Sequence, residues 1–355
     1  MKILHTADLH IDSPLTSHLS VDKVRERRAE LFSTFSAMVE SAAQNGVKIM
    51  IIAGDLFDSD RITKTAKKRT LSLIADHSEL SFFYLPGNHE EDGLIRGEEA
   101  LPENLFLFGE EWSYFASGDL VIAGRGSTSQ DMFDTLSLPT DKRNIVVLHG
   151  ELRDRSDEGG VIGRRDAAGK NIDYLALGHY HSYSAEKIDD RCTAVYAGTP
   201  EGRGFDELGD KGFVLVESTD SEISHRFVPF ARRRLHEIEV DVSEASDLYE
   251  LERRAAIALS TVSDSDLVRL ILTGYRQVGF SVDTAALVAR FGRDFYYFEV
   301  KDETRLKISA ADYERDLSLK GEFIRLVMAD TTLSDKKKEE IIACGLAALL
   351  GEGTL

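Results

Sequence analysis

The sequence predicts a layered α/β domain followed by a smaller α+β unit and C-terminal helices. Three observations predict it: short apolar runs recur through the first two thirds of the 355 residues, amphipathic stretches separate the early runs, and the pattern changes near residue 235. The runs are Lys2 to Ala7, Val47 to Ala53, Phe82 to Leu85, Leu120 to Ala123, Asn144 to Leu148, Asp173 to Leu177 and Ala194 to Ala197. Their length and Ile/Val/Leu content read as strands buried on both faces. Between the first two, Val21 to Gln44 places Leu31, Phe35, Met38 and Val39 at helical spacing, with Gly46 positioned to end the helix. Ile62 to His77 reads as a second helix. Helix and strand alternate early and strands dominate later, which points to layered α/β rather than a purely parallel sheet.

After Arg232-Arg233-Arg234, the segment His236 to Val242 alternates like a half-exposed strand. This sets the expected domains at 1–235, 236–310 and 311–355. The second domain should hold a helix (Ala245 to Leu259), a strand (Leu267 to Thr273), a helix (Thr284 to Phe291) and a strand (Tyr296 to Val300). Helices over Lys320 to Ala329 and Lys336 to Leu350 should finish the chain.

Composition excludes several classes. A hydrophobic share of 42% is enough for a sizeable core, so a disordered or fibrous chain is excluded. Lys and Arg total 43 against 62 Asp and Glu, a formal charge of -19. That balance argues against nucleic-acid binding through a globally basic surface; an anionic substrate has to be met locally. Cys192 and Cys344 lack CxxC spacing, which fits a reducing compartment and excludes a disulfide scaffold or cysteine zinc cluster. No run approaches the roughly 18 apolar residues of a membrane span, and the first residues are too short for a signal-peptide core. A cytoplasmic protein with no membrane association is therefore expected.

Five segments carry metal-competent side chains just after an apolar strand: Asp8-Leu9-His10, Gly54-Asp55-Leu56-Phe57-Asp58, Gly87-Asn88-His89-Glu90, His149-Gly150 and Gly178-His179-Tyr180-His181. In an open α/β sheet, ligands bind beyond the carboxyl ends of the strands, so residues distant in sequence converge there. Mixed carboxylate, imidazole and amide donors suit Mn(II), Fe(II) or Zn(II), and the absence of thiolates argues against a structural zinc site. The donors outnumber the positions on one ion, so two ions about 3.5 to 4 Å apart sharing a carboxylate are expected, with Asp55 as the bridge. Singly, each segment has an ordinary reading as a cap, a turn or a surface histidine; all five at strand ends do not. His5, His18, His77, His225 and His236 have no such context and read as packing or surface residues.

The order D-x-H, GD-x-x-D, GNH, HG and GHxH resembles the calcineurin-like metallophosphoesterase superfamily. The segments Thr6-Ala7-Asp8-Leu9-His10, Ala53 to Asp58 and Leu85-Pro86-Gly87-Asn88-His89 resemble its SbcD branch of DNA repair exonucleases, counterpart of the nuclease Mre-eleven. Tyr196 to Arg203 followed by Lys211-Gly212-Phe213 is similar to the same branch. The resemblance covers roughly residues 1 to 230 and implies a sandwich of two β-sheets flanked by helices, with the later residues forming a smaller capping or DNA-binding domain. It further implies one ion on Asp8, His10, Asp55 and His181, and another on Asp55, Asn88, His149 and His179. His89 would stand beside the phosphate as a proton donor or charge stabiliser. Some family members have histidine where Asp58 stands, and aspartate is common where Glu90 follows GNH.

The implied activity is a Mn-dependent DNA exonuclease with endonuclease capacity, with Mg(II), Fe(II) and Zn(II) compatible with the same donors. Flanking phosphates need local cations. Arg61, Arg153, Arg155 and Arg203 are candidates, with Lys64, Lys67, Lys68, Arg69, Arg164 and Arg165 nearby in sequence; for the lysine-rich helix the competing reading is a solvated face. The resemblance also implies a homodimer and a coiled-coil ATPase partner of the SbcC type, gripped by the last helices. The alternatives are a phosphoesterase acting on a small phosphodiester or monoester, and an interaction subunit that has lost catalysis; the complete ligand set argues against the latter.

Overall fold

The computed structural model describes residues 1–15, 19–58, 62–87, 94, 100–129, 131–156, 159–220, 222–276, 280–307 and 315–350, and the arrangements below are those of these residues. They form two compact units, Met1–Arg234 and Leu235–Leu355.

The first unit begins with β1 (Lys2–Thr6), α1 (Val21–Gln44), β2 (Ile49–Ala53), α2 (Lys64–Asp76), β3 (Ser81–Leu85) and β4 (Leu105–Leu107). Next come β5 (Ser113–Ser117), β6 (Leu120–Gly124), β7 (Arg143–His149), β8 (Glu151–Arg153), β9 (Val161–Gly163) and the short α3 (Arg164–Ala167). It ends with β10 (Tyr174–Gly178), β11 (Ser184–Lys187), β12 (Thr193–Tyr196), β13 (Gly212–Ser218) and β14 (Ile223–Pro229). Two mixed six-stranded sheets result, in the orders β14-β13-β1-β2-β3-β4 and β11-β12-β10-β7-β6-β5. In the first sheet β1 to β4 run parallel and β13 and β14 antiparallel, and in the second the central strands run parallel with both edges antiparallel, so the expected two-sheet sandwich flanked by helices is what the chain forms.

Period-2 alternation explains why the expected strands read as wholly apolar. On β1, Ile3 points between the sheets with Ile51, Phe83, Val147 and Ala176, while Leu4 points the other way. There it meets Phe35 and Met38 of α1 and Ile74 of α2. The outer face of the second sheet packs Val146, Leu148 and Leu175 against Met132, Phe133 and Ala167. Helix α1 spans the residues its spacing predicts. Helix α2 starts two residues later than expected, because the Thr63 side chain accepts from the Ala66 N–H and so caps it.

A polar contact also joins the two sheets in this core. His5 of β1 is fully buried, and its Nδ1 lies 2.8 Å from the Tyr174 hydroxyl of β10. Burial drives the His5 imidazole down to about 3 despite the Leu177 carbonyl, with His225 adding to the fall. The folded chain thus keeps His5 neutral while the unfolded chain takes up a proton near its ordinary 6.5. Stability from this residue is full above that value and declines as pH falls toward 3, by up to about 1.4 kcal/mol per pH unit. Thermal melts from pH 7 to 4 are expected to fall less steeply for His5→Gln than for the parent, and parallel curves would remove His5 from the effect.

The second unit holds β15 (Leu235–Asp241), α4 (Leu248–Leu259), β16 (Leu267–Thr273), β17 (Tyr275–Arg276), α5 (Thr284–Phe291), β18 (Tyr297–Asp302) and β19 (Arg305–Leu306). Strands β15, β16 and β18 form a parallel sheet. Val268, Leu270 and Leu272 pack there with Leu251 and Leu287. Helices α6 (Leu319–Ala329) and α7 (Asp335–Leu350) close the chain around Ile324, Ile342 and Leu346. Helix α4 begins at Leu248 rather than Ala245, because Asp247 caps the Glu250 N–H. No helix among the described residues is long and apolar enough to cross a membrane.

Candidate metal centre

The loops that leave β1 and β2 run side by side. Asp8 N–H donates to the Gly54 carbonyl (3.1 Å), His10 N–H to Asp55 (3.0 Å) and Ile11 N–H to Leu56 (2.8 Å). This zipper brings Asp8, His10 and Asp55 together beyond the carboxyl ends of their strands. On the other sheet, His149 at the end of β7 is in register with Gly178 at the end of β10, so His149 and the His179–His181 segment arrive at the same edge. The chain bends sharply to do this. Asp8 (φ 52°), His10 (φ 46°), Asp55 (φ 48°) and His179 (φ 106°) all occupy the left-handed region. For residues other than glycine that costs of order 1–3 kcal/mol each and is characteristic of functional sites.

Asp8, His10, Asp55 and His149 are at most 4% exposed, His181 is partly buried and His179 is exposed. Among the described residues two overlapping groups could hold a cation: Asp8, His10 and His181, and Asp8, Asp55 and His149, with one donor atom per residue all within 4.8 Å of one another. The Asp55 carboxylate lies between the imidazoles of the two groups, its Oδ2 3.5 Å from His149 Nε2 and 3.9 Å from His10 Nε2. The His179 ring packs edge-on against His149 with centroids 5.5 Å apart, and its backbone N–H donates to both Asp8 oxygens at 3.0 Å.

The imidazoles are oriented in one sense. His10 Nδ1 is 2.9 Å from Asp58 Oδ1, His181 Nδ1 is 2.7 Å from Glu207 Oε1, and His149 Nδ1 is 2.9 Å from the Ala53 carbonyl oxygen. Each of these partners is an acceptor, so a ring proton sits on Nδ1 and, in the neutral ring, the Nε2 lone pair faces the pocket. The Nε2 atoms of His10 and His181 are only 3.2 Å apart. Two lone pairs aimed at one point repel each other unless a proton or a metal cation lies between them, and donors about 2.1 Å from one ion sit about this far from each other. The residues therefore fit a divalent metal.

The electrostatics agree. Burial raises the Asp8 carboxyl; the His149 and His181 imidazoles pull it back, and neighbouring Asp55 pushes it further up. Burial lowers His149, but Asp55 and Asp8 more than offset it, and its pKa ends above the ordinary histidine value. Glu207 does the same for His181. His179 is lowered, first by burial and then by His149. Two carboxylates share a buried pocket, and a cation would relieve their repulsion.

Backbone enters where side chains cannot. A Cβ on Gly54 (φ 94°) would meet His149 Nδ1 at 2.0 Å, and one on Gly87 would meet Asp55 Oδ1 at 2.0 Å. Those two glycines let neighbouring loops touch the donors directly.

Asn88, His89 and Arg61, expected in the site or near it, lie outside the described residues. Arg153 and Arg155 are exposed, and Arg153 pairs with Glu151 at 2.7 Å. Arg164 pairs with Glu186 at 2.8 Å and Arg165 with Asp154 at 3.7 Å. Lys67 is buried rather than on a solvated face, and the Arg69 guanidinium lies over the Phe32 ring at 4.3 Å. Arg203 stands beside the pocket with its guanidinium on Asp58 and Glu207. Glu207 had no local signal in the sequence: its role exists only because the chain folds it against His181, 26 residues away.

A strand-end pocket of this donor chemistry defines a metal-dependent hydrolase. Residues 1–193 match the calcineurin-like phosphoesterases, and the chain belongs to that family. It is similar to the uncharacterized metallophosphoesterase YhaO of Bacillus subtilis, 28% identical over 300 residues, 77% of this chain and 72% of that protein. It is also similar to the DNA double-strand break repair protein Mre11 of Methanosarcina mazei, 27% identical over 64% of this chain but only 38% of the relative's length. The protein of that name from Methanopyrus kandleri is 23% identical over 99% of this chain and 82% of its own length.

Proposed function

We propose that this phosphoesterase is a two-metal DNA nuclease of the SbcD type, hydrolysing phosphodiester bonds at DNA ends with Mn(II) in repair or end processing in the cytoplasm. The observation that carries this reading is the similarity to a protein named for DNA double-strand break repair over 99% of the chain, the second unit included. A small substrate needs no such unit, whereas a polymer uses one to shape its path.

Asp8, His10, Asp55 and His181 would hold one ion, and Asp55, Asn88, His149 and His179 the other. When bound, the two cations supply a hydroxide nucleophile near neutral pH and positive charge against the phosphoryl oxygens. The protein's own groups do the rest. Asp58, Glu207 and the Ala53 carbonyl hold three imidazoles in the tautomer that offers Nε2. His89 donates the proton to the leaving oxygen. Arg153 and Arg155 are exposed cations within an acidic chain and would meet flanking phosphates. The homodimer and the coiled-coil ATPase partner belong to the same reading, the latter on the C-terminal segment, where Leu317, Leu319 and Leu326 are exposed.

The test is to incubate purified protein with end-labelled DNA and with a small phosphodiester in Mn(II), Mg(II) or EDTA, beside His89→Gln. Shortened DNA in Mn(II), none in EDTA and a slowed variant are expected. Intact DNA with the small ester consumed would assign the chain to small substrates instead.

A further inference from the structure

We propose that Arg203 is a positioning residue for the metal pocket, a clamp that aims the His10 and His181 imidazoles at one ion through Asp58 and Glu207. The inference rests on the two-ion reading above and assigns to Arg203 a task other than substrate contact.

The geometry is that of a bridge. Arg203 Nη1 donates to Asp58 Oδ1 at 2.8 Å, the oxygen that also faces His10 Nδ1. Nη2 and Nε donate to Glu207 Oε1 at 2.8 and 3.1 Å, the oxygen that also faces His181 Nδ1. The Arg203 backbone N–H holds the other Glu207 oxygen at 2.7 Å. One planar guanidinium therefore fixes the two carboxylates that orient the two imidazoles whose Nε2 atoms stand 3.2 Å apart. A fork with fixed angles can set both at once; a lysine ammonium is a point charge without that geometry. Asp58 is part of the device, since its Oδ1 serves His10 and Arg203 together. The donors of Arg203 are directed at these carboxylates, with Nη2 also 3.2 Å from His181 Nδ1, and its side chain is only 19% exposed, so a flanking phosphate is not what it is built to meet.

Charge and geometry predict opposite signs. Removing a cation beside a metal pocket would tighten metal binding if electrostatics dominated. Releasing the two carboxylates would loosen it, by about 10- to 100-fold for outer-shell partners of metal ligands. The clamp predicts loosening. Titrating metal-free protein with Mn(II) in a calorimeter should show two binding events in the parent. In Arg203→Ala one event should weaken by about 10- to 100-fold and the other should stay in place. Arg203→Lys should not restore it, and Asp58→Asn, which keeps the packing, should weaken the same event. With Co(II) as probe, the visible absorption band should change in the same variants, a signature that loss of fold stability alone does not produce. Tighter binding in Arg203→Ala, rescue by lysine, or two unchanged events would overturn the clamp. Fewer than two events in the parent would instead overturn the two-ion reading and the clamp with it.

Discussion

Asp55→Asn is expected to lower metal-dependent phosphoester hydrolysis at least about a thousandfold, ~4 kcal/mol of activation free energy, without destabilising the metal-free fold. The carboxylate is 3% exposed and lies between the imidazoles of His10 and His149, beside Asp8, which is common to both donor groups. Amide nitrogen cannot share a cation pair, so both positions suffer from one substitution. The stability effect differs between the two states. Without metal, replacing Asp55 relieves its repulsion of the buried Asp8 carboxyl but also removes its attraction for the His149 imidazole, so the two effects oppose and the melting temperature should hold. With metal the variant loses. A ligand at one hundred times its dissociation constant adds about 2.7 kcal/mol to the folded state, and Asp55→Asn should forfeit most of that gain. Melts with and without Mn(II), run beside hydrolysis assays, check both halves; a variant that keeps full activity and the full metal-induced gain would exclude Asp55 from the pocket.

Arg27→Met is expected to cost about 3–5 kcal/mol of stability, a fall of roughly 10 °C in melting temperature for a unit of this size. Arg27 is 2% exposed and is ion-paired to Glu30 and, at 3.2 Å, to Glu201; it also donates to the Gly202 carbonyl at 2.6 Å. Glu201 is 1% exposed and accepts as well from Thr34 (3.2 Å) and from the backbone N–H of Arg232 (2.9 Å). Burial raises the Glu201 carboxyl, with Arg27 the main force against it. Removing Arg27 leaves that buried charge short of its principal cation. Adding Glu201→Leu to Arg27→Met should recover part of the loss, because an apolar pair has no buried charge to compensate. Equal melting of parent and Arg27→Met in denaturant would refute this. The consequence reaches the pocket, since Glu201 and Gly202 immediately precede Arg203.

What could be read in the sequence divides along a physical line. Local patterns were legible: β1, β2, β7 and β10 are short apolar runs buried on both faces, and their terminal Asp and His residues follow at once. Strands β11 and β14 were not legible. β11 is Ser-Ala-Glu-Lys, exposed throughout and held by pairing to β12, and β14 is only half-buried. The run Phe213-Val214-Leu215-Val216 of β13 carried the apolar signal of a buried strand, yet it lies outside the expected set. Two helix starts shifted where a side chain captured an N–H, at Thr63 and Asp247, while α5 starts where expected behind its Asp283 cap. In the pocket, donors with strand-end context were foreseeable, while Glu207, the bridging fork of Arg203 and the burial of Lys67 depend on contacts between distant segments. No periodicity encodes such contacts.

A pair of cations held between two sheet edges would be seen in an anomalous-scattering map of crystals grown with Mn(II). Two peaks are predicted, one touching Asp8, His10 and His181, the other His149 and His179, with Asp55 reaching both. A single peak, or peaks on surface carboxylates with these side chains empty, would contradict it.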